Sequence, residues 1–104
     1  MDKKLVEFFE NKDFEVVEKK TTTQVLIQNL LAFSVREKKG GLFDISINIV
    51  KEDEEKEKLR KRTKGFNLNL EKAPVLSNIT FESFVKFCNE TKVISQVKRL
   101  SEFR

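Results

Sequence analysis

Two alternating segments joined by a glycine pair constrain this chain more than any other feature of its sequence. Leu31, Phe33 and Val35 alternate with Ala32, Ser34 and Arg36. After Lys38-Lys39-Gly40-Gly41, the residues Phe43, Ile45, Ile47 and Ile49 alternate with Asp44, Ser46 and Asn48. A period of two puts each set on its own face of an extended strand. Glycine reaches positive φ without a Cβ clash, so Gly40-Gly41 suits a reversal between two such strands. One face is apolar and the other polar, the pattern of an antiparallel sheet covered on one side. The pattern predicts a hairpin with Leu31, Phe33 and Val35 pointing inward.

The flanking segments fit around that hairpin. Asp2 suits the cap of a helix over residues 3–11, whose Leu5, Phe8 and Phe9 share a face. Phe14-Glu15-Val16-Val17-Glu18 reads as a first strand, with Phe14 and Val16 inward. The run 25–31 follows three threonines and fits two conformations. A helix would stack Leu26 on Leu30 and Ile27 on Leu31, whereas a strand needs a bend near Asn29. The preceding β-branched residues favour the strand. Residues 65–70 alternate again, and Ala73-Pro74 ends that ladder because proline has no amide donor. Thr80, placed before Phe81, Phe84, Val85 and Cys88, predicts the cap of a helix to about Asn89. A last helix over residues 92–103 presents Val93, Val97 and Leu100, with Lys92, Lys98, Arg99 and Arg104 elsewhere on it. The 104 residues suit a single α+β domain: an antiparallel sheet of four to five strands, with an N-terminal helix and two C-terminal helices packed on one face.

Residues 51–64 break the pattern with a charge run whose one apolar residue is Leu59. Residues 51–57 hold five acids and two bases, while residues 58–64 hold five bases and no acid. Glu52/Lys56, Glu54/Lys58 and Glu57/Lys61 have the spacing of helical ion pairs. The run is expected to be a charged, solvated connector, helical in part.

The residues that are missing exclude most chemistry. With no His and one Cys, Cys88, neither the common zinc sets nor a Ser-His-Asp or Cys-His arrangement can be built from this chain. Three glycines, Gly40, Gly41 and Gly65, match no phosphate-cradling motif. No cofactor and no metal are expected. Cys88 shares a helical face with Phe81, Phe84 and Val85 and reads as a buried hydrophobe. One cysteine forms no internal disulfide, which fits a reducing cytoplasm. No stretch reaches the length of a membrane span, and the charged first residues do not fit a secretory leader. Asp44 with Glu54-Glu55-Lys56 supplies the residue types of a PD-(D/E)XK nuclease. In that family, however, the E-x-K belongs on a neighbouring strand, and here it lies in the charged run.

The positive balance points to an anionic partner. There are 21 Lys and Arg against 17 Asp and Glu, a formal charge of +4, and the pI is about 9.2. Basic residues occur in the Lys38-Lys39 turn, in the stretch Lys58, Arg60, Lys61, Arg62 and Lys64, and in the last helix. These cations fit a phosphate-binding surface that neutralises a nucleic-acid backbone. A sheet with basic turns also suits single strands when exposed aromatics stack on bases. This chain has ten Phe but no Tyr or Trp, and Phe33, Phe43 and Phe66 fall in phase with inward aliphatics. Binding is therefore expected to be mainly electrostatic and non-catalytic.

Phe33-Ser34-Val35-Arg36-Glu37-Lys38-Lys39-Gly40-Gly41, followed by Phe43-Asp44-Ile45-Ser46-Ile47, resembles the opening hairpin of Pur-alpha-type repeats. Lys64-Gly65-Phe66-Asn67-Leu68 and the helix from Phe81 follow in a comparable order, and related Whirly-like domains also place a basic-Gly-apolar strand before a helix. The resemblance covers residues 31–90. It implies binding of single-stranded DNA or RNA on the sheet face and dimerisation through the helix. By position, Arg36, Lys38, Lys39 and Lys64 would contact phosphates, with Asn48 and Asn67 on the outward face. The long charged insertion, the preceding helix and the last helix depart from the family pattern.

A second function class fits the same chain. Small, charged, single-domain proteins without a catalytic set include viral or phage products that inhibit a host protein, such as anti-CRISPR and polymerase inhibitors. In such a protein the outward strand face, or a sheet edge, docks on the partner.

Overall fold

The structure, a computed structural model, describes residues 1–63 and 65–103. In order, its elements are α1 (Lys3–Glu10), β1 (Glu15–Glu18), β2 (Thr23–Ile27), β3 (Leu30–Lys38), β4 (Leu42–Ile47), α2 (Asp53–Arg60), β5 (Leu68–Asn69), β6 (Val75–Ile79), α3 (Phe81–Thr91) and α4 (Val93–Glu102). The fold is α+β. The strands form one antiparallel sheet in the order β1-β2-β3-β4-β6-β5. Among the described residues no helix is long and apolar enough to cross a membrane.

The predicted hairpin is β3–β4. Lys38 pairs with Leu42, and Gly40 and Gly41 sit at φ of 78° and 71° in the loop between them. The ambiguous run resolves as strand, but not as one bent strand. Gln28 and Asn29 both have positive φ, 50° and 64°, and Ile27 pairs with Leu30. Two left-handed residues between paired strands make the tight reversal whose twist suits a hairpin. Residues 30 and 31 therefore belong to β3.

Leu31 does not point inward. The pairing shifts from Val25↔Phe33 to Leu26↔Leu31, so Ala32 is an extra residue that reverses the phase of the strand. Ala32 and Phe33 are both buried, while Leu31 is exposed.

A second irregularity hides a strand. Val75–Ile79 forms β6 between β4 and β5, which makes six strands where four to five were expected. Phe43 pairs with Ile79 and Ile45 with Leu76, so Ser77 and Asn78 together oppose Asp44. Asn78 has φ of 54°, and its amide donates to Asp44 Oδ1 at 3.0 Å. β5 ends at Asn69, before Pro74, as the sequence predicts, and the Pro74 carbonyl accepts from the Ile47 amide of β4 at 2.8 Å just ahead of β6.

The inner sheet face carries Val25, Phe33, Val35, Phe43, Ile45, Ile47 and Leu76, all buried in one core with Leu5 and Phe9 of α1, Phe84 and Phe87 of α3, and Val93 and Val97 of α4. Phe33 lies at its centre, with ring centroids 5.1 Å from Phe9, 5.7 Å from Phe14 and 6.3 Å from Phe84. The capping expectations hold: Asp2 accepts from the Lys4 amide at 2.8 Å and Thr80 from the Ser83 amide at 3.1 Å. Cys88 is buried, and that burial pushes its thiol pKa up to about 12 against a lowering by Lys12.

The charge run is not simply a solvated connector. It contains α2, with Asp53, Glu54 and Glu55 in its first turn and Lys58 and Arg60 in its last, the placement that complements a helix dipole. Its observed ion pairs are Glu55–Lys58 at 2.9 Å and Glu57–Arg60 at 2.8 Å, three residues apart rather than four. Leu59 is fully buried in the common core. One leucine docks the helix.

Removing the Phe33 ring leaves a cavity at the meeting point of α1, α3 and the sheet. Phe33→Ala is expected to cost about 3–5 kcal/mol in urea unfolding. Leu31→Ala, out of the core by the shift at Ala32, should cost less than about 1 kcal/mol. Equal losses would contradict the phase reversal.

Candidate anion-binding cleft between α2 and α4

Two helical stripes face each other across a cleft of about 380 Å³. On α2 and the turn after it, Glu55, Lys58, Leu59 and Arg62 recur at helical spacing. On α4, Lys92, Ser95, Gln96 and Arg99 do the same. The chain bends after Arg60, with the Arg62 amide donating to Leu59 O at 3.0 Å. That bend carries Arg62 toward the α3–α4 corner, where its Nη1 donates to Thr91 O at 3.3 Å. Thr91 fixes the corner by donating to Phe87 O at 2.7 Å and accepting from the Val93 amide at 3.2 Å. Lys92 adopts φ of 59°, so α3 stops and α4 starts around it.

Glu55 ties the two stripes together. Its Oε2 accepts from Lys58 Nζ at 2.9 Å. Gln96 Nε2 donates to the Glu55 carbonyl at 3.0 Å and to Oε1 at 3.1 Å. Arg99 Nη2 also donates to Oε1. Glu55 is 8% exposed. Its burial alone would raise the pKa, but the hydrogen bonds from Lys58, Gln96 and Arg99, with the Arg99 charge, outweigh it and hold the carboxyl at about 2.

Lys58, Arg62, Lys92 and Arg99 line the cleft, and two of them, Lys58 and Arg99, bind the Glu55 carboxylate. Four cations against one anion leave a formal surplus of three positive charges. Arg62 and Lys92 have no carboxylate partner among the described residues. This arrangement can attract an anion and donate hydrogen bonds to it.

The residues singled out from sequence fall on two layers. Lys58 and Arg62 line the cleft, Arg60 pairs with Glu57, and Lys61 is exposed at the end of α2. Lys64 lies outside the described residues. Arg36, Lys38 and Asn48 belong instead to the outer sheet side, and Lys39 to the hairpin loop. Arg36 faces Asp44 across the strands. Lys38 Nζ binds Asp44 Oδ2 at 3.0 Å and Asn78 Oδ1 at 2.9 Å, so it serves the bulge in β6. Burial would raise the Asp44 pKa, yet the Asn78 amide and Lys38 outweigh it and leave the carboxyl below its ordinary value. Asn48 Nδ2 donates to Ser34 Oγ. Asn67 is exposed before β5, its carbonyl accepting from the Ser77 amide at 3.3 Å. Among the described residues these two groups stand on different elements, α2 with its following turn and the β3–β4 hairpin.

The outer face follows the row Val17, Gln24, Ser34, Ser46, Val75 and Asn69. No phenylalanine ring lies on it: six are buried, Phe8 and Phe81 pack between α1 and α3, Phe66 packs on Phe87, and Phe103 follows α4. Of the groups considered for nuclease chemistry, Asp44 is on β4 and Glu54-Glu55-Lys56 is on α2 rather than on a neighbouring strand. Among the described residues no group of three or more Asp, Glu or Cys is placed to hold a metal.

The sequence marks Lys92 and Arg99 as cations of the last helix without assigning them to a site, and it does not single out Ser95 or Gln96. The Lys92–Arg99 interval of two helical turns was the available signal. Comparison with protein-family models, with curated proteins and with solved structures finds no match for this chain.

The low folded pKa of Glu55 has a signed consequence. Its contribution to stability is fully present above the ordinary value of 4.5 and is lost as pH falls toward about 2. Urea unfolding of the wild type should weaken more steeply across this window than that of Glu55→Gln. Near neutral pH the variant should be about 1–3 kcal/mol less stable. Parallel pH profiles would show that Glu55 is not the titrating tie.

Proposed function

We propose that this is a non-catalytic nucleic-acid-binding protein that holds phosphates of single-stranded DNA or RNA in the α2–α4 cleft. The observation that carries the reading is the convergence of Lys58, Arg62, Lys92 and Arg99 from two helices on one concavity. Cations brought together in this way displace condensed counterions from a nucleic acid, which favours binding at low salt. A concave site suits a flexible strand, whose backbone can bend inward, better than the regular surface of a duplex. The overall positive charge adds long-range attraction. The outer sheet face contributes less to this reading, because it carries no aromatic ring and Lys38 is engaged by Asp44.

A second reading is a small viral or phage-type protein that docks on a host protein and inhibits it. It is favoured by exposed Leu31, which borders an open groove of about 430 Å³ with Leu30, Ile49 and Ala73. A stoichiometric protein partner lost on Leu31→Asp, without bound nucleic acid, would select it over the first.

The first reading is tested by anisotropy of a labelled single-stranded oligonucleotide. If all four cations meet phosphates, raising salt from about 50 to 200 mM should weaken binding roughly 50-fold. The charge reversal Lys58→Glu with Arg62→Glu should cost more than about tenfold, whereas Arg36→Glu with Lys39→Glu should cost much less. No binding at low salt, or no dependence on salt, would overturn the reading.

A further inference from the structure

We infer that the α2–α4 cleft receives the terminal phosphate monoester of a nucleic-acid strand in preference to an internal diester; the inference rests on the nucleic-acid reading above. The four cations line one concavity. Lys58 and Arg62 approach from α2 and its following turn, Lys92 from the α3–α4 corner, and Arg99 from the second turn of α4.

Other charges on these helices do not enlarge that cationic set. Arg60 is committed to Glu57 and Lys98 to Asp13. Asp53 and Glu54 begin α2, Glu90 precedes the corner, and Glu102 ends α4. Lys61, exposed and next to Arg62 in sequence, adds a further cation beside this set.

The charge balance favours the same end group. A diester carries one negative charge, whereas a monoester carries close to two near neutral pH. The surplus of three positive charges left after Glu55 matches the more highly charged group better. The cleft also opens at the first turn of α4, a ten-residue helix, where the Ser95 hydroxyl lines it and the helix dipole places partial positive charge. Its volume of about 380 Å³ is near the lower end for small-ligand sites. That is room for a phosphate with its sugar.

The test compares one single-stranded sequence with a 5′-phosphate, with a 3′-phosphate and with hydroxyl ends, by anisotropy at low salt. A phosphorylated end is expected to bind about tenfold tighter than hydroxyl ends, the effect of one added charge-assisted interaction. The two phosphorylated strands identify which terminus is received. Ser95→Asp should abolish the difference by placing a carboxylate in the cleft, with thermal stability retained because an acid in the first turn suits the dipole. Lys92→Asn should reduce it while keeping a residue that tolerates positive φ. Equal affinity for all three strands, or a preference that survives Ser95→Asp, would overturn the end-group inference and leave the nucleic-acid reading standing. Failure of every strand to bind at low salt would overturn both.

Discussion

A carboxylate withdrawn from water must find donors or give up its charge, and Glu55 finds three. Lys58 comes from its own helix, while Gln96 and Arg99 come from α4. The cross-helix bonds make a strongly charged segment part of the folded body. With fully buried Leu59 beneath it, α2 acquires a fixed position over α4. The same contacts that satisfy the carboxylate hold Lys58 and Arg99 at the wall of the cleft, so the tie between the helices and the electrostatics of the site share one set of atoms.

This coupling involves a compromise. A leucine in place of Glu55 would remove the desolvation cost, but it would leave Gln96 without its side-chain acceptor and Lys58 and Arg99 facing each other unscreened. One anion among four cations keeps the helices together against their mutual repulsion while leaving a positive surplus. Arg62 and Lys92, which have no carboxylate partner among the described residues, contribute the less screened part of that surplus. The corner residue Thr91 then sets the separation of the two stripes, because it satisfies the end of α3, the start of α4 and the Arg62 guanidinium together.

The sequence was most legible where side-chain period and backbone geometry agree. β3–β4, the Asp2 and Thr80 caps and the burial of Phe33 and Phe43 all follow from alternation, capping chemistry and glycine. It was least legible where an extra residue resets the period. Ala32 turns Leu31 outward, and Ser77 with Asn78 disguises β6, since Leu76 and Ile79 are three residues apart and yet both buried. The candidate site was half legible. Lys58 and Arg62 stood out as members of a basic run and Lys92 and Arg99 as cations of the last helix, but nothing in the sequence joined the two sets. Pairing two distant stripes depends on the tertiary position of α2, which is set by one leucine and one buried acid within a charge-rich stretch.

Cys88 gives the molecule a chemical property of its own. Burial among the phenylalanines keeps its sulfur in the thiol form at any ordinary pH, and thiols alkylate far more slowly than thiolates. In the folded protein this sulfur is shielded twice, by its protonation and by the side chains over it. Opening of the core removes both shields together. As the chain's one cysteine, it makes the wild-type protein its own single-site reporter: the rate of iodoacetamide labelling follows how often the helices lift from the sheet.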